Sequence, residues 1–162
     1  MAKVFKGKQV FENSEAFAAH FKDLHKERGP FRESMLKLNQ EFGEHLAVVL
    51  SPESVLWYKA IVQVFADFLY WNTDVTKVEE ITKGMANSHF RTYWKNKVWD
   101  DTISRYDLQM ALREFFTFLK TKKGIVNKKV LKSLRGVCLR RGGGAWVPST
   151  GTAGAVIPAA RP

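Results

Sequence analysis

The chain has 162 residues, of which 45 % are hydrophobic and 13 % aromatic, so it can bury the core of one domain and lacks the composition of a disordered protein. Lysine and arginine number 26 against 16 acidic residues, which gives a formal net charge of +10. The single cysteine excludes an internal disulfide framework and a metal site built from several thiolates of one chain.

The first predicted elements are an extended N-terminal arm, residues 1–13, and two helices. Ser14 has the residue type of an N-cap, and apolar residues at helical spacing predict a helix from there to about Arg28. Gly29 and Pro30 are expected to end that helix and to open a second one, which runs to about Val49.

A third helix, residues 52–71, is predicted at the centre of the domain, because the segment is apolar nearly all round. Lys59, Gln63 and Asp67 interrupt it, whereas a membrane span needs about 20 nearly uninterrupted apolar residues. We therefore expect a buried helix and no transmembrane segment.

Shorter helices are predicted for the rest of the body. They are one carrying Val78, Ile81 and Met85, one starting at Asn87 and Ser88, one capped by Asp100 and Asp101 and ended by Gly124, and a basic last helix of about 127–137 capped by Asn127. The prediction is an all-α fold: a single helical-bundle domain of about six or seven helices over residues 14–137, with a flexible glycine- and proline-rich tail, residues 138–162.

The net charge lies entirely in the last third of the chain. Residues 1–114 contain 16 basic and 16 acidic side chains, and Glu114 is the last acid. The cations that follow are Lys120, Lys122, Lys123, Lys128, Lys129, Lys132, Arg135, Arg140, Arg141 and Arg161. Such an asymmetry is typical of a binding surface for a polyanion.

Within that region, Lys128, Lys132 and Arg135 follow the spacing i, i+4, i+7 and share one helix face, with Lys129 beside it. Cations on one face suit phosphate groups, because each neutralised phosphate releases condensed counterions. The candidate nucleic-acid-binding residues here are Lys120, Lys122, Lys123, Lys128, Lys129, Lys132, Arg135, Arg140 and Arg141.

A second candidate surface is the stretch in which Arg91, Lys95 and Lys97 alternate with aromatic residues. A base stacked on an aromatic ring contributes about 1–3 kcal/mol to binding. Phe90 and Trp94 also have core spacing, so we expect these two rings to be buried.

Enzyme chemistry is not indicated. The four histidines have no metal-ligand spacing, and no phosphate-binding glycine loop occurs. We expect no catalytic residues, no metal site and no cofactor.

The layout resembles the small helical coat or nucleocapsid proteins of rod-shaped and filamentous viruses. It combines an arm, a neutral aromatic-rich helical body, a basic helix and a small-residue tail that includes Ala145 to Thr150. The resemblance implies a self-assembling protein, a homo-oligomer that packages RNA without strong sequence preference through backbone charge.

Two other classes of function stay open. One is a non-assembling RNA-binding regulator such as a silencing suppressor, and the other is a basic membrane-surface or protein-interaction module. The membrane version is disfavoured, because the apolar side of the basic helix has no Trp or Phe. Residues 1–15 lack the apolar run of a signal peptide, so the expected location is the virion or the host cytoplasm.

Overall fold

A computed structural model describes residues 2–5, 10–98 and 103–134. Over these ranges the protein is helical and no β-strand is present apart from one isolated bridge, which confirms the all-α prediction. The α-helices are α1 (Ser14–Ala47), α2 (Pro52–Asn72), α3 (Phe90–Lys97), α4 (Arg105–Lys122) and α5 (Lys128–Ser133). No helix in the described part of the chain is long and apolar enough to cross a membrane.

The predicted helix boundary at Gly29 and Pro30 is wrong, because α1 continues through both residues. A proline inside a helix removes one backbone hydrogen bond and costs about 3 kcal/mol. Packing on α2 from both sides of Pro30 offsets this cost. On one side the Arg28 guanidinium donates to the Tyr70 carbonyl oxygen, and on the other Arg32 forms an ion pair with Asp67.

Helices α1 and α2 form a long antiparallel pair, and α4 packs across it to close an aromatic core. Phe42 of α1 has its ring centroid 5.4 Å from that of Phe115 of α4, and Phe65 of α2 lies 6.3 Å from Phe116. Asn13 caps α1 by accepting a hydrogen bond from the Ala16 N–H, one residue before the predicted cap.

The segment between α2 and α3 differs from the prediction. Instead of a short α-helix, Val78–Glu80 forms one 3₁₀ turn, and Met85–His89 forms a π-helical turn that continues directly into α3. Its predicted apolar residues Val78, Ile81 and Met85 are nevertheless buried. Together with the continuity of α1, this leaves five α-helices in the described ranges instead of six or seven.

The start of α4 also differs in its cap. Ser104 accepts a hydrogen bond from the Asp107 N–H, and Asp107 accepts one from the Ser104 N–H, so this pair forms the capping box. Ser104, and not the predicted Asp100 and Asp101, is the N-cap; those two aspartates lie outside the described residues.

The end of α4 and the start of α5 lie where the sequence predicts them. Gly124 has a φ of 69°, and the Ile125 N–H donates to the Leu119 carbonyl oxygen, as in a helix terminated by a left-handed glycine. Asn127 caps α5, which ends at Ser133. The predicted continuation to residue 137 and the tail at 138–162 lie outside the described part of the chain.

The N-terminal segment, residues 2–5, runs antiparallel to the end of α2. Val4 bridges Thr73, and the Phe5 N–H donates to the Asn72 carbonyl oxygen at 2.8 Å. The Asp74 N–H donates to the Lys3 carbonyl oxygen, while the Asp74 carboxylate accepts from the Lys3 N–H. This part of the predicted arm therefore packs on its own domain.

Candidate nucleic-acid interface

The structure places the predicted lysines at the end of α4 and along α5. Lys120, Lys122, Lys128, Lys129 and Lys132 are all exposed. The opposite side of α5 is closed, since Val130 and Leu134 are fully buried against the core. The amphipathic character predicted for this helix is confirmed for its described residues.

Lys123 differs from the other lysines of this group because it pairs with an acid. Its ammonium group forms a salt bridge with Glu41 of α1, which joins the end of α4 to the middle of α1. The charge of Lys123 is partly neutralised, so it contributes less to an anion-binding surface than its neighbours do.

Three predicted binding residues lie outside the described ranges: Arg135, Arg140 and Arg141. Of the three residues predicted to share one helix face, the structure describes Lys128 and Lys132, and both are exposed.

The N-terminal end of α5 is fixed by Asn127, which is buried. Its side-chain amide donates to the carbonyl oxygens of Val78 and Ile81 at 2.9 and 2.8 Å, and its carbonyl oxygen accepts from the Val130 N–H at 3.0 Å. One side chain thus caps α5 and joins it to the 3₁₀ turn, which determines where the lysines of α5 lie.

The other end of α5 is fixed by Asn87, in the π-helical turn. The Asn87 amide donates to the Ser133 hydroxyl at 3.0 Å, and its carbonyl oxygen accepts from Gln109 of α4 at 2.7 Å. Hydrogen bonds at both ends therefore hold α5 in one position beside the π-helical turn.

Between α5, the π-helical turn and the N-terminal segment lies a groove of about 970 Å³, which we call the basic groove. Its cationic lining residues are Lys3 from the N-terminal segment, Lys83 from the start of the helical segment, and Lys129 and Lys132 from α5. His89, the last residue of the π-helical turn, also lines it. Residues that are far apart in sequence are thus brought to one site.

The basic groove combines this cationic lining with an apolar floor. Ala2 and Val4, which are both partly exposed, contribute apolar surface, and no Asp or Glu is among its described lining residues. The Asp74 carboxylate lies beside the N-terminal segment, where it accepts from the Lys3 N–H. Four lysines thus line the groove, and none of its described lining residues is acidic.

The second candidate group, Arg91, Lys95 and Lys97, lies on α3. Lys95 and Lys97 are exposed and Arg91 is half-buried. Arg91 and Lys95 line a separate groove of about 610 Å³ together with Arg105 from the first turn of α4. The basic groove and this α3–α4 groove share no described lining residue, so the predicted cations form more than one surface.

The aromatic residues of α3 serve mainly the core. Phe90 and Trp94 are buried, as expected from their spacing, and cannot present a ring face to a base. Tyr93 is half-buried against Phe68; burial raises the pKa of Tyr93, and the Asp67 carboxylate raises it further. Tyr93 is therefore uncharged at neutral pH and adds no negative charge beside Arg91.

A different set of aromatic rings is exposed or half-buried. Phe11 before α1, Phe17 and Phe21 in the first turns of α1 and Trp71 in the last turn of α2 follow one another with centroids 5.3–6.0 Å apart. Phe17 is 51 % exposed and Trp71 45 %. We call this the aromatic surface; contiguous exposed apolar groups of this kind typically mark an interaction site.

Sequence reasoning missed Lys3, Lys83 and His89 as site residues. Lys3 and Lys83 belong to the electroneutral part of the chain, so the charge asymmetry does not mark them as binding residues. The signal for His89 is structural: it is the last residue of the π-helical turn, and such turns are frequent at functional sites.

No group of three or more His, Cys, Asp or Glu side chains able to hold a metal ion occurs among the residues that the structure describes. Comparison of the chain with protein-family models, with curated proteins and with solved structures returns no match.

Proposed function

We propose that this protein is a structural nucleic-acid-binding protein that assembles with copies of itself and packages RNA through backbone charge, as a viral coat or nucleocapsid protein does. On this proposal it has no catalytic role and is located in the virion or the host cytoplasm. The observation that carries the proposal is the end of the molecule where α4 and α5 expose Lys120, Lys122, Lys128, Lys129 and Lys132.

The chemistry of this end supports a polyanion partner. Of its lysines, Lys123 has a carboxylate partner, while Lys129 and Lys132 of α5 line a groove without an acidic lining residue among those described. Lysines contact phosphates as point charges with little geometric demand, which suits binding without sequence preference.

The assembly part of the proposal is supported by apolar surface at both ends of the α1–α2 pair. The aromatic surface lies at one end, and Val48, Val49 and Leu56 lie exposed at the other. Contact between two different patches on successive copies is heterologous, and heterologous contacts produce rings or open helical filaments. Such an arrangement is the one that a helical nucleocapsid requires.

The test is negative-stain microscopy of the purified full-length protein before and after nuclease treatment, with the ratio of absorbance at 260 and 280 nm. We expect rods, filaments or rings that contain nucleic acid and that shorten or dissociate when the nucleic acid is digested.

Small particles of fixed stoichiometry with bound RNA would instead favour the regulator. Protein free of nucleic acid that floats with anionic vesicles would overturn the proposal in favour of a membrane-surface module.

A further inference from the structure

We propose that the basic groove binds a single strand of nucleic acid, with phosphates on Lys3, Lys83, Lys129 and Lys132 and a base on the floor beside His89. The inference rests on the proposed function and specifies its binding site: the groove, and not the outward-facing lysines, is the principal contact. It also gives the N-terminal segment a direct part in binding.

The charge of the groove identifies the anionic part of the ligand. Its four lysines come from three separate segments, and they approach the same space with no acidic residue among the described lining groups. Cations that line one space attract an anion together, because their electrostatic potentials add. A chain of phosphates supplies several such anions at once.

The floor of the groove indicates that the ligand is more than phosphate. Ala2 and Val4 present apolar surface, and His89 adds a flat ring at the edge. Bases have an apolar face that lies against such groups, and His is one of the side chains on which RNA bases stack. An acidic peptide would use the lysines and leave this surface without a partner.

The shape favours a single strand over a duplex. A groove of about 970 Å³ is at the upper end of the roughly 300–1,000 Å³ that ligand sites occupy, so it has room for a base as well as phosphates. A duplex keeps its bases stacked inside and presents phosphates outward, whereas a single strand can turn a base toward the protein.

Two of the three walls of the groove are held together before the ligand arrives. Asn127 joins α5 to the 3₁₀ turn and Asn87 joins it to the π-helical turn, while the third wall, the N-terminal segment, is attached by the Val4–Thr73 bridge. Binding to a formed site loses less side-chain and backbone entropy than binding that must order the site.

The expected salt dependence follows from the number of phosphate contacts. For four contacts to a single strand, the slope of log K against log salt is about −2.8, so raising salt from 50 to 200 mM weakens binding roughly fiftyfold. Loss of three of these contacts reduces the slope to about −0.7.

The test compares two triple variants of the full chain with equal charge change. One is K83E/K129E/K132E, in the groove, and the other is K120E/K122E/K128E, on exposed lysines that do not line it. Affinity for a labelled ten-nucleotide oligouridylate is measured by fluorescence anisotropy over a salt series, with circular dichroism to verify folding. The milder variants K83Q and K132Q serve if the groove triple variant does not fold.

We expect the groove variant to lose on the order of a hundredfold in affinity and most of the salt slope, and the outer variant to lose roughly tenfold or less. Replacing His89 by Ala should weaken oligouridylate binding about fivefold to tenfold without changing the salt slope. It should not weaken binding of an abasic oligomer of the same length.

The outcomes separate the two proposals. If the wild-type protein binds no polyanion, the proposed function fails. If it binds oligouridylate and both triple variants lose the same affinity, the groove is not the principal contact while the function stands. Equal wild-type affinity for the abasic oligomer, for a duplex or for polyglutamate would overturn the assignment to a single strand with a bound base.

Discussion

Aromatic side chains form two groups in this protein that have similar distances between ring centroids and differ in exposure. In the core, the rings of Phe65 and Phe90 have centroids 5.0 Å apart and are almost completely buried. At the end of the α1–α2 pair, the rings of Phe21 and Trp71 are 5.3 Å apart and remain 40 % and 45 % exposed.

The difference comes from helix length. Helix α1 has 34 residues and α2 has 21, which at 1.5 Å per residue makes α1 about 51 Å long and α2 about 31 Å. The first turns of α1, up to Ala19, are exposed at nearly every position, whereas α4 covers the middle of the pair. A ring pair therefore belongs to the core or to a surface according to whether a third helix covers it.

The largest expected effect is the loss of folding stability when the buried Phe65–Phe90 pair is changed. Replacing Phe65 by Ala should lower the free energy of unfolding by about 3–5 kcal/mol, because it removes a buried ring that contacts Phe90 and Phe116 and leaves a cavity. Urea denaturation measures the loss. F65L keeps most of the volume and should cost less than about 1.5 kcal/mol. Equal losses for the two variants would show that cavity formation is not the cause.

The second largest effect on stability is expected from replacing a buried polar residue, Asn127. Asn127→Ala removes the cap of α5 and one hydrogen-bond donor from each of the carbonyl oxygens of Val78 and Ile81, which together cost about 2–4 kcal/mol. N127D keeps the cap acceptor and lacks the donor, so it should also be destabilised. A fully stable N127D variant would mean that capping alone matters, and the control N96A, at an exposed position of α3, should change stability little.

The exposed rings of Phe17 and Phe21 should affect the proposed self-association more than folding. F17S/F21S should change the free energy of unfolding by less than about 1.5 kcal/mol and weaken self-association at least tenfold in sedimentation velocity. A18S, an exposed position on the same turns of α1, is the matched control. Unchanged association of the double variant would show that the aromatic surface takes no part in assembly.

The smallest expected effect is that of a surface carboxylate. Hydrogen bonds from the Thr76 and Lys77 N–H groups lower the pKa of Glu80, so its charged form stabilises the folded state above the ordinary carboxyl pKa, near 4.3, and this contribution disappears as the pH falls below it. E80Q should therefore lower Tm by about 1–2 °C at pH 7 and not at pH 3. E79Q removes a neighbouring charge but not these hydrogen bonds, and an identical pH profile for both variants would contradict the assignment.

Local sequence signals were sufficient for much of the fold. The cap at Asn127, the glycine stop at Gly124 and the buried positions of Phe90 and Trp94 depend on neighbours within a few residues, so composition and spacing predict them. Pro30 is the counterexample: its effect on α1 is overridden by contacts with Tyr70 and Asp67, about 40 residues away in sequence, which no local pattern contains.

The candidate site divides in the same way. The lysines of α5 form a helical pattern and were predicted, while Lys3 and Lys83 join them only through the fold. Their placement depends on the Val4–Thr73 bridge and on the Asn127 contacts with Val78 and Ile81. The salt bridge between Lys123 and Glu41 likewise lowers the expected contribution of Lys123 to anion binding, and its partner is far away in sequence.

The N-terminal segment contributes Lys3 and Val4 to the basic groove, and its link to residues 72–74 consists of a short bridge at the protein surface. Such a segment opens locally at a small fraction of the global unfolding free energy. A strand bound between it and α5 would have to be released before the segment could open. The amide hydrogens of Phe5 and Asp74, both donors in this bridge, should therefore exchange more slowly with solvent deuterium when oligouridylate is bound, while those at the centre of α2 keep their rate.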